Sequence, residues 1–208
     1  MSGTVLGKDV VDAVRRASRA LIDQREYLTS LDQAMGDGDM GITMSKIGES
    51  LLSFVEANPI DDIGKYLFQL GTATNKAAPS TMGTLSAGAL MSAGKVLRDQ
   101  TELENGDLAT MFQAADEGIK SRGKASLGDK PVVDALHPAS LAFSAAVASG
   151  ASLQAAGSAA IEAAAAGLDS VTPLRSKIGR ASWVGERTEG KVDPGCAMFV
   201  IVLQAIAG

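Results

Sequence analysis

Asp32, Asp37 and Asp39 stand within eight residues of one another, in the stretch from Leu31 to Met44 that reads Leu-Asp-Gln-Ala-Met-Gly-Asp-Gly-Asp-Met-Gly-Ile-Thr-Met. Oxygens gathered this densely suit a hard divalent cation. Gly36, Gly38 and Gly41 permit positive φ and close backbone approach, which a turn wrapped around a metal or a phosphate needs. Aspartates beside glycines also cap helices and make turns. Capping accounts for one or two of these three, whereas three mutually repelling carboxylates call for a neutralising cation. With only one histidine and one cysteine in the chain, the donor set favours magnesium over zinc.

The familiar loops for a nucleotide or a cation do not fit. Gly88 to Lys95 reads Gly-Ala-Leu-Met-Ser-Ala-Gly-Lys followed by Val96, one residue too long for a Walker A loop and without its hydroxyl. An EF-hand starting at Asp37 would place Gly41 at its fifth position and Gly48 where the bidentate glutamate belongs. His137 precedes Pro138 in a helical stretch and reads as a packed or surface histidine rather than a phosphoryl carrier. Cys196 reads as a small buried residue, and Met82, Met91, Met111 and Met198 as core fillers. Trp183 either shields a ligand or is an exposed hinge aromatic. Lys124, Lys130, Arg187 and Lys191 are solvated loop charges or a docking rim for a phosphorylated partner.

The elements that must carry these residues are helical. The 208 residues are 46% hydrophobic but only 4% aromatic, a mix that builds closely packed helices from small side chains. No linker divides the chain, so 1–208 is expected to be a single domain. A net charge of −5 with scattered basic residues leaves no footprint for nucleic acid. Met1 to Lys8 lacks a leader and Cys196 to Ala207 is too short to span a bilayer, so a cytoplasmic protein without membrane contact is expected. Periodicity predicts helices over about 9–30, 42–57, 61–75, 107–123, 131–149 and 152–167, one ending near Arg98, and a last one opened by Asp193-Pro194-Gly195. Pro173 to Lys191 has no strong period. The architecture expected from this count is all-α: a closed antiparallel eight-helix barrel or bundle with no strand required.

Four separated segments carry a resemblance. Leu31 to Gly41, Ser121 to Lys130 followed by Asp134, Gly179-Arg-Ala-Ser-Trp-Val-Gly-Glu-Arg187, and Asp193-Pro194-Gly195 are together similar to the motifs of the L subunit of dihydroxyacetone kinase, the nucleotide-binding half of that kinase. The resemblance runs from about residue 26 to 200. It implies a barrel of eight antiparallel helices with ADP or ATP lying across one mouth and two Mg2+ ions bridging its phosphates to Asp32, Asp37 and Asp39. Carried over by position, Met40, Gly41, Ile42 and Thr43, together with Ser80 and Thr81, lie against the phosphates. Gly123 and Val132 border the base, while Arg180, Asp193, Pro194 and Gly195 close the site, with Arg180 the catalytic residue. Gly83 and Thr84 are rival contacts to Ser80 and Thr81. Met40 replaces the histidine usual in that family, and a thioether cannot donate the imidazole's hydrogen bond.

The resemblance further implies phosphoryl transfer to a triose or tetrulose held by a separate K subunit through that subunit's own histidine. The donor is either a phosphohistidine protein of a phosphotransferase system, recharging bound ADP, or free ATP. A homodimer is a further partner option. The competing reading is a non-catalytic nucleotide-binding module that signals to a transcription regulator.

Overall fold

A turn of irregular backbone at Gln24 (φ −90°, ψ 13°) interrupts what the periodicity predicts as one first helix, and the break decides how the site is held. The computed structural model describes residues 4–123 and 125–208, so Lys124 lies outside the described residues. Its helices are α1 (Gly7–Asp23), α2 (Arg25–Met35), α3 (Met40–Ala57), α4 (Ile63–Ala77), α5 (Thr81–Val96), α6 (Asn105–Gly123), α7 (Val133–Ala148), α8 (Leu153–Val171), the short α9 (Ala181–Val184) and α10 (Pro194–Ala207). A 3-10 turn occupies Gly185–Thr188. The break lets α2 lean on the first turn of α3. There Gly41 has no room for a side chain, because a Cβ would collide with the Arg25 carbonyl oxygen and the Thr29 hydroxyl. Gly41→Ala is therefore expected to cost about 1–3 kcal/mol through overpacking, read as a lower midpoint in chemical denaturation.

Each long helix packs on the next, α3 on α4, α4 on α5, and so on to α8, and α10 then packs on both α8 and α1. The chain closes a ring of eight helical rods, counting α1 and α2 as one. The expected all-α barrel is borne out. Arg16 on α1 secures the closing seam by donating to the Ala205 carbonyl (2.9 Å) and the Ile206 carbonyl (2.6 Å) at the end of α10. Those carbonyls have no partner within their own helix.

Two expectations about local structure are corrected. A two-residue ribbon does form: β1 (Val5–Leu6) pairs antiparallel with β2 (Glu102–Leu103), joining the segments that precede α1 and α6. Periodicity over two residues carries no signal, so nothing in the sequence announces it. Pro131 stands before the helix it is predicted to open, because α7 starts at Val133 and the preceding residues turn to bury Lys130. The segment without a period holds α9 and the 3-10 turn, both four residues long.

The core divides by side-chain size. Leu28, Met44, Ile47, Leu70 and Val133 belong to one buried cluster, each large side chain stabilising by roughly 1.5–3 kcal/mol. The other is built on alanine: Ala156, Ala160 and Ala164 on α8 are fully buried and packed with Ala135, Ala139 and Phe143 of α7. A spacing of four puts those alanines on one stripe. Small side chains bring α8 so close to α7 that a Cβ on Gly167 would collide with the Asp134 carbonyl oxygen. Phe112 fills the space beyond, edge-on to Phe143 at 5.8 Å between ring centroids.

Alternation of helix direction has one consequence for chemistry. The connections α2–α3, α4–α5, α6–α7 and α8–α10 all fall at one end of the ring, and the β1–β2 ribbon lies at the other. The four segments that carry the resemblance fall in three of these connections, two of them between α8 and α10, and Ser80 stands in the fourth, between α4 and α5.

Candidate functional site

Asp32 closes the last turn of α2 and Asp39 is the residue before α3. The link between them is Gly36-Asp37-Gly38. Gly38 alone of the three glycines here takes a positive φ, +78°, a conformation that favours glycine. Gly36 is extended (φ −154°) and sits against the Asp32 carboxylate, where a Cβ would be 2.7 Å from Oδ1. The result is that oxygens of Asp32, Asp37 and Asp39 lie within 4.8 Å of one another. Asp32 Oδ2 also accepts the Met40 N–H at 3.0 Å, so this carboxylate is oriented by the positive end of α3.

Arg180, at the start of α9, reaches the same cluster from 141 residues away. Its Nη1 donates to Asp37 Oδ2 and, at 3.1 Å, to Asp39 Oδ2. All three side chains are half exposed or more, with Arg180 at 62%, Asp37 at 50% and Asp39 at 53%, so water screens the pairing and it contributes little to stability. One guanidinium balances only part of three carboxylates, and every donor is a hard oxygen without nitrogen or sulfur. That set fits a magnesium ion.

Helix polarity supplies the rest of the field. The N-termini of α3, α5, α7 and α10 all open onto this mouth, and helix N-termini bind anionic groups through free N–H groups and the dipole. Ser80 is the cap of α5, its hydroxyl accepting the Gly83 N–H at 3.1 Å. Thr81 beside it is exposed and Gly83 is buried against Ala78. Exposure therefore favours Thr81 and Thr84 over Gly83 as side chains open to a ligand. Gly123, the last residue of α6, faces Leu85 of α5. Val132 and Gly195 meet at Met82, since a Cβ on Gly195 would lie 3.0 Å from Met82 Cε and 3.4 Å from Val132 Cβ. The structure thus brings the α5 start, Gly123, Val132 and the α10 start together.

Several residues sit differently from expectation. Met40 turns its side chain into the core at 6% exposure, so what it offers the site is its N–H. Gly41 is buried under α2, leaving Ile42 and Thr43 as the outer residues of that turn. Asp193 points at its own helix, where Oδ1 accepts the Cys196 N–H at 2.7 Å, and Pro194 and Gly195 are buried beside it. His137 is packed as expected, bonded through Nδ1 to Asp116 Oδ2 at 2.7 Å on the α6–α7 seam. Trp183 stands 90% exposed, an open aromatic three residues from Arg180. Arg187 and Lys191 are solvated. Lys130 is neither a rim nor a solvated charge, because it is buried at 1% exposure.

The charges beneath the mouth are displaced from their ordinary values. Burial pushes the Asp193 carboxyl up to about 6 from 3.8, against the opposing pull of the Cys196 N–H and the Lys130 charge. Burial likewise presses the Lys130 value down, with Asp193 opposing, and pushes the Cys196 thiol up. A carboxyl whose folded value exceeds its unfolded value adds stability below pH 3.8 and loses it as pH rises through 6. From pH 7 to pH 5, Asp193 should stabilise the fold by about 1 kcal/mol. Asp193→Asn keeps a cap acceptor and removes the titration, so its melting temperature should change less than that of the parent chain between those pH values.

Comparison with known proteins finds relatives over nearly the whole chain. The DAK2 domain family model matches residues 34–208. The ADP-binding subunit DhaL of the PEP-dependent dihydroxyacetone kinase from Escherichia coli (strain K12) is 28% identical over 198 residues, 95% of this chain and 94% of that one. The corresponding subunit of PEP-dependent dihydroxyacetone kinase 2 from Listeria innocua is 32% identical, over 99% of this chain and 96% of that one. The crystal structure of the dihydroxyacetone kinase of C. freundii superposes with a TM-score of 0.76 at 26% identity, over 95% of this chain. This chain spans 34% of that longer kinase.

Proposed function

As a DhaL-like member of the DAK2 domain family, this chain, we propose, is the nucleotide- and magnesium-binding subunit of a dihydroxyacetone-type kinase, a single domain that passes a phosphoryl group to a triose or tetrulose held by a separate K subunit. The observation that carries the reading is the convergence of Arg180 on the aspartate cluster at a mouth ringed by helix N-termini. Phosphoryl transfer requires little from the protein beyond position and charge, and this mouth supplies both.

Asp32, Asp37 and Asp39 would hold magnesium, which when bound supplies positive charge for the phosphate oxygens. The chain's own groups do the remaining work. The turn Met40 to Thr43 and the start of α5 at Ser80 and Thr81 offer N–H groups and hydroxyls to phosphate. Gly123, Val132 and the Asp193 to Gly195 turn form the floor for a base. Arg180 places a guanidinium where charge develops on the transferred group. None of these supplies a general base for a ketose hydroxyl, which accords with a sugar held by another subunit. Trp183, exposed beside Arg180, is an apolar contact open to that subunit.

Among the described residues no helix is long and apolar enough to cross a membrane, and the reading places the reaction in the cytoplasm. Two donors fit: a phosphohistidine protein that recharges bound ADP, or ATP that exchanges at each turnover. The test is to denature the purified protein, identify any released nucleotide, and then assay transfer to trioses and tetruloses with a K subunit present. Retained ADP that ATP does not exchange selects the phosphoprotein route. Nucleotide bound without transfer from either donor would overturn the kinase reading and select the regulatory module.

A further inference from the structure

Lys130 is the largest fully buried side chain among the described residues, and its partners are three backbone carbonyls rather than a carboxylate. Nζ donates to Thr172 O at 2.8 Å, Leu174 O at 2.9 Å and Thr188 O at 2.7 Å. A neutral amine has two N–H groups, so three such bonds call for the ammonium. Removing that charge from water is costly, and an apolar side chain in its place would leave three carbonyl oxygens without this donor. A buried cation here calls for a structural reason.

The three carbonyls supply it. Leu174 and Thr188 are the two stems of a loop whose tip carries Arg180, and Thr172 ends α8 just before it. One ammonium therefore ties both stems of the arginine loop together. Further bonds tighten the stems: the Thr188 hydroxyl accepts the Ser176 N–H at 2.9 Å and donates to the Gly185 carbonyl at 2.7 Å. Lys130 is itself held from the other side. Its N–H donates to Asp134 Oδ2 at 2.9 Å, and Gly128 N–H donates to Asp134 Oδ1 at 2.7 Å, on the first turn of the closely packed α7. Its φ of +65° is a conformation most residues avoid, kept because it turns the side chain under the loop.

We propose that Lys130 is a positioning residue for Arg180: by clasping both stems of the 172–188 loop to the α7 turn, it sets where the guanidinium stands against Asp37 and Asp39. The role rests on the phosphoryl-transfer reading, and its structural half can be tested without it. Lys130→Met keeps length and removes all three donors. In the transfer assay its turnover should fall by about 100-fold, the loss a 1 Å misplacement causes, with nucleotide affinity within about three-fold. In an Arg180→Ala background the same substitution should change turnover by less than about two-fold, because there is no guanidinium left to misplace. An equal fall in both backgrounds, or no fall in either, overturns the proposal.

Trp183 is the sole tryptophan in the chain, so time-resolved fluorescence anisotropy reports the mobility of the loop tip with no substrate present. Lys130→Met should give the tip a faster, larger-amplitude motion at unchanged helix content. Unchanged anisotropy overturns the proposal even if no chain transfers phosphate, whereas absent transfer with increased mobility overturns only the kinase reading. Should the methionine variant not fold, Lys130→Gln, whose amide retains two donors in place of three, should show tip mobility above the parent's. Gln mobility equal to the parent's counts against the clasp.

Discussion

Arg180→Ala is expected to lower phosphoryl transfer by about 10³- to 10⁵-fold, the range that arginine residues acting on a transferring phosphoryl group command. The loss should appear in single-turnover transfer to a ketose with a K subunit present. Nucleotide affinity should move by less than about 10-fold, because the guanidinium acts on charge that grows during transfer. The side chain is 62% exposed and bonds only to exposed carboxylates, so folding is not at stake. A variant that keeps a tenth of the parent rate would remove Arg180 from the chemistry.

Asp37→Asn should abolish magnesium-dependent nucleotide binding, a loss of at least about 100-fold given that even outer-shell changes around a metal cost 10- to 100-fold. Calorimetric titration with ADP, with and without Mg2+, reads the effect. The amide preserves shape and removes one of the charges that a hard cation requires. Helix content should be unchanged, since Asp37 lies in the exposed link between α2 and α3 and caps neither. Asp32→Asn is the less clean experiment, because that carboxylate also accepts the Met40 N–H. Binding of Asp37→Asn at parental affinity would remove the metal assignment.

The parts of the site visible in the sequence are those whose chemistry is local. Three aspartates and three glycines between Asp32 and Gly41 mark a candidate cation site because their charge and backbone freedom are written within ten residues. Helix count and alternation then assign the four motif-bearing segments to one end. What sequence conceals is direction. Met40 and Asp193 stand where the motifs put them, yet one side chain faces the core and the other its own helix, choices made by packing. Lys130 is the plainest case. In sequence it is one lysine in a polar loop, and its neighbours Thr172, Leu174 and Thr188 act through carbonyls that every residue possesses. The sole local hint is Asp134, a carboxylate four residues on, at the start of a helix. The break at Gln24 is equally silent, because the apolar stripe runs on from Leu21 to Leu28 across it.

The seam between α1 and α10, fastened by Arg16 to Ala205 and Ile206, joins the first long helix of the chain to the last. During synthesis, Arg16 on α1 has to wait for partners that emerge 189 and 190 residues later. Domains generally fold as units as the chain emerges, but this ring cannot be completed until α10 has left the ribosome. Until then, the half-built barrel keeps an apolar edge open to other nascent chains. Chaperone dependence should consequently be greatest for ribosome-bound chains that lack only the last helix.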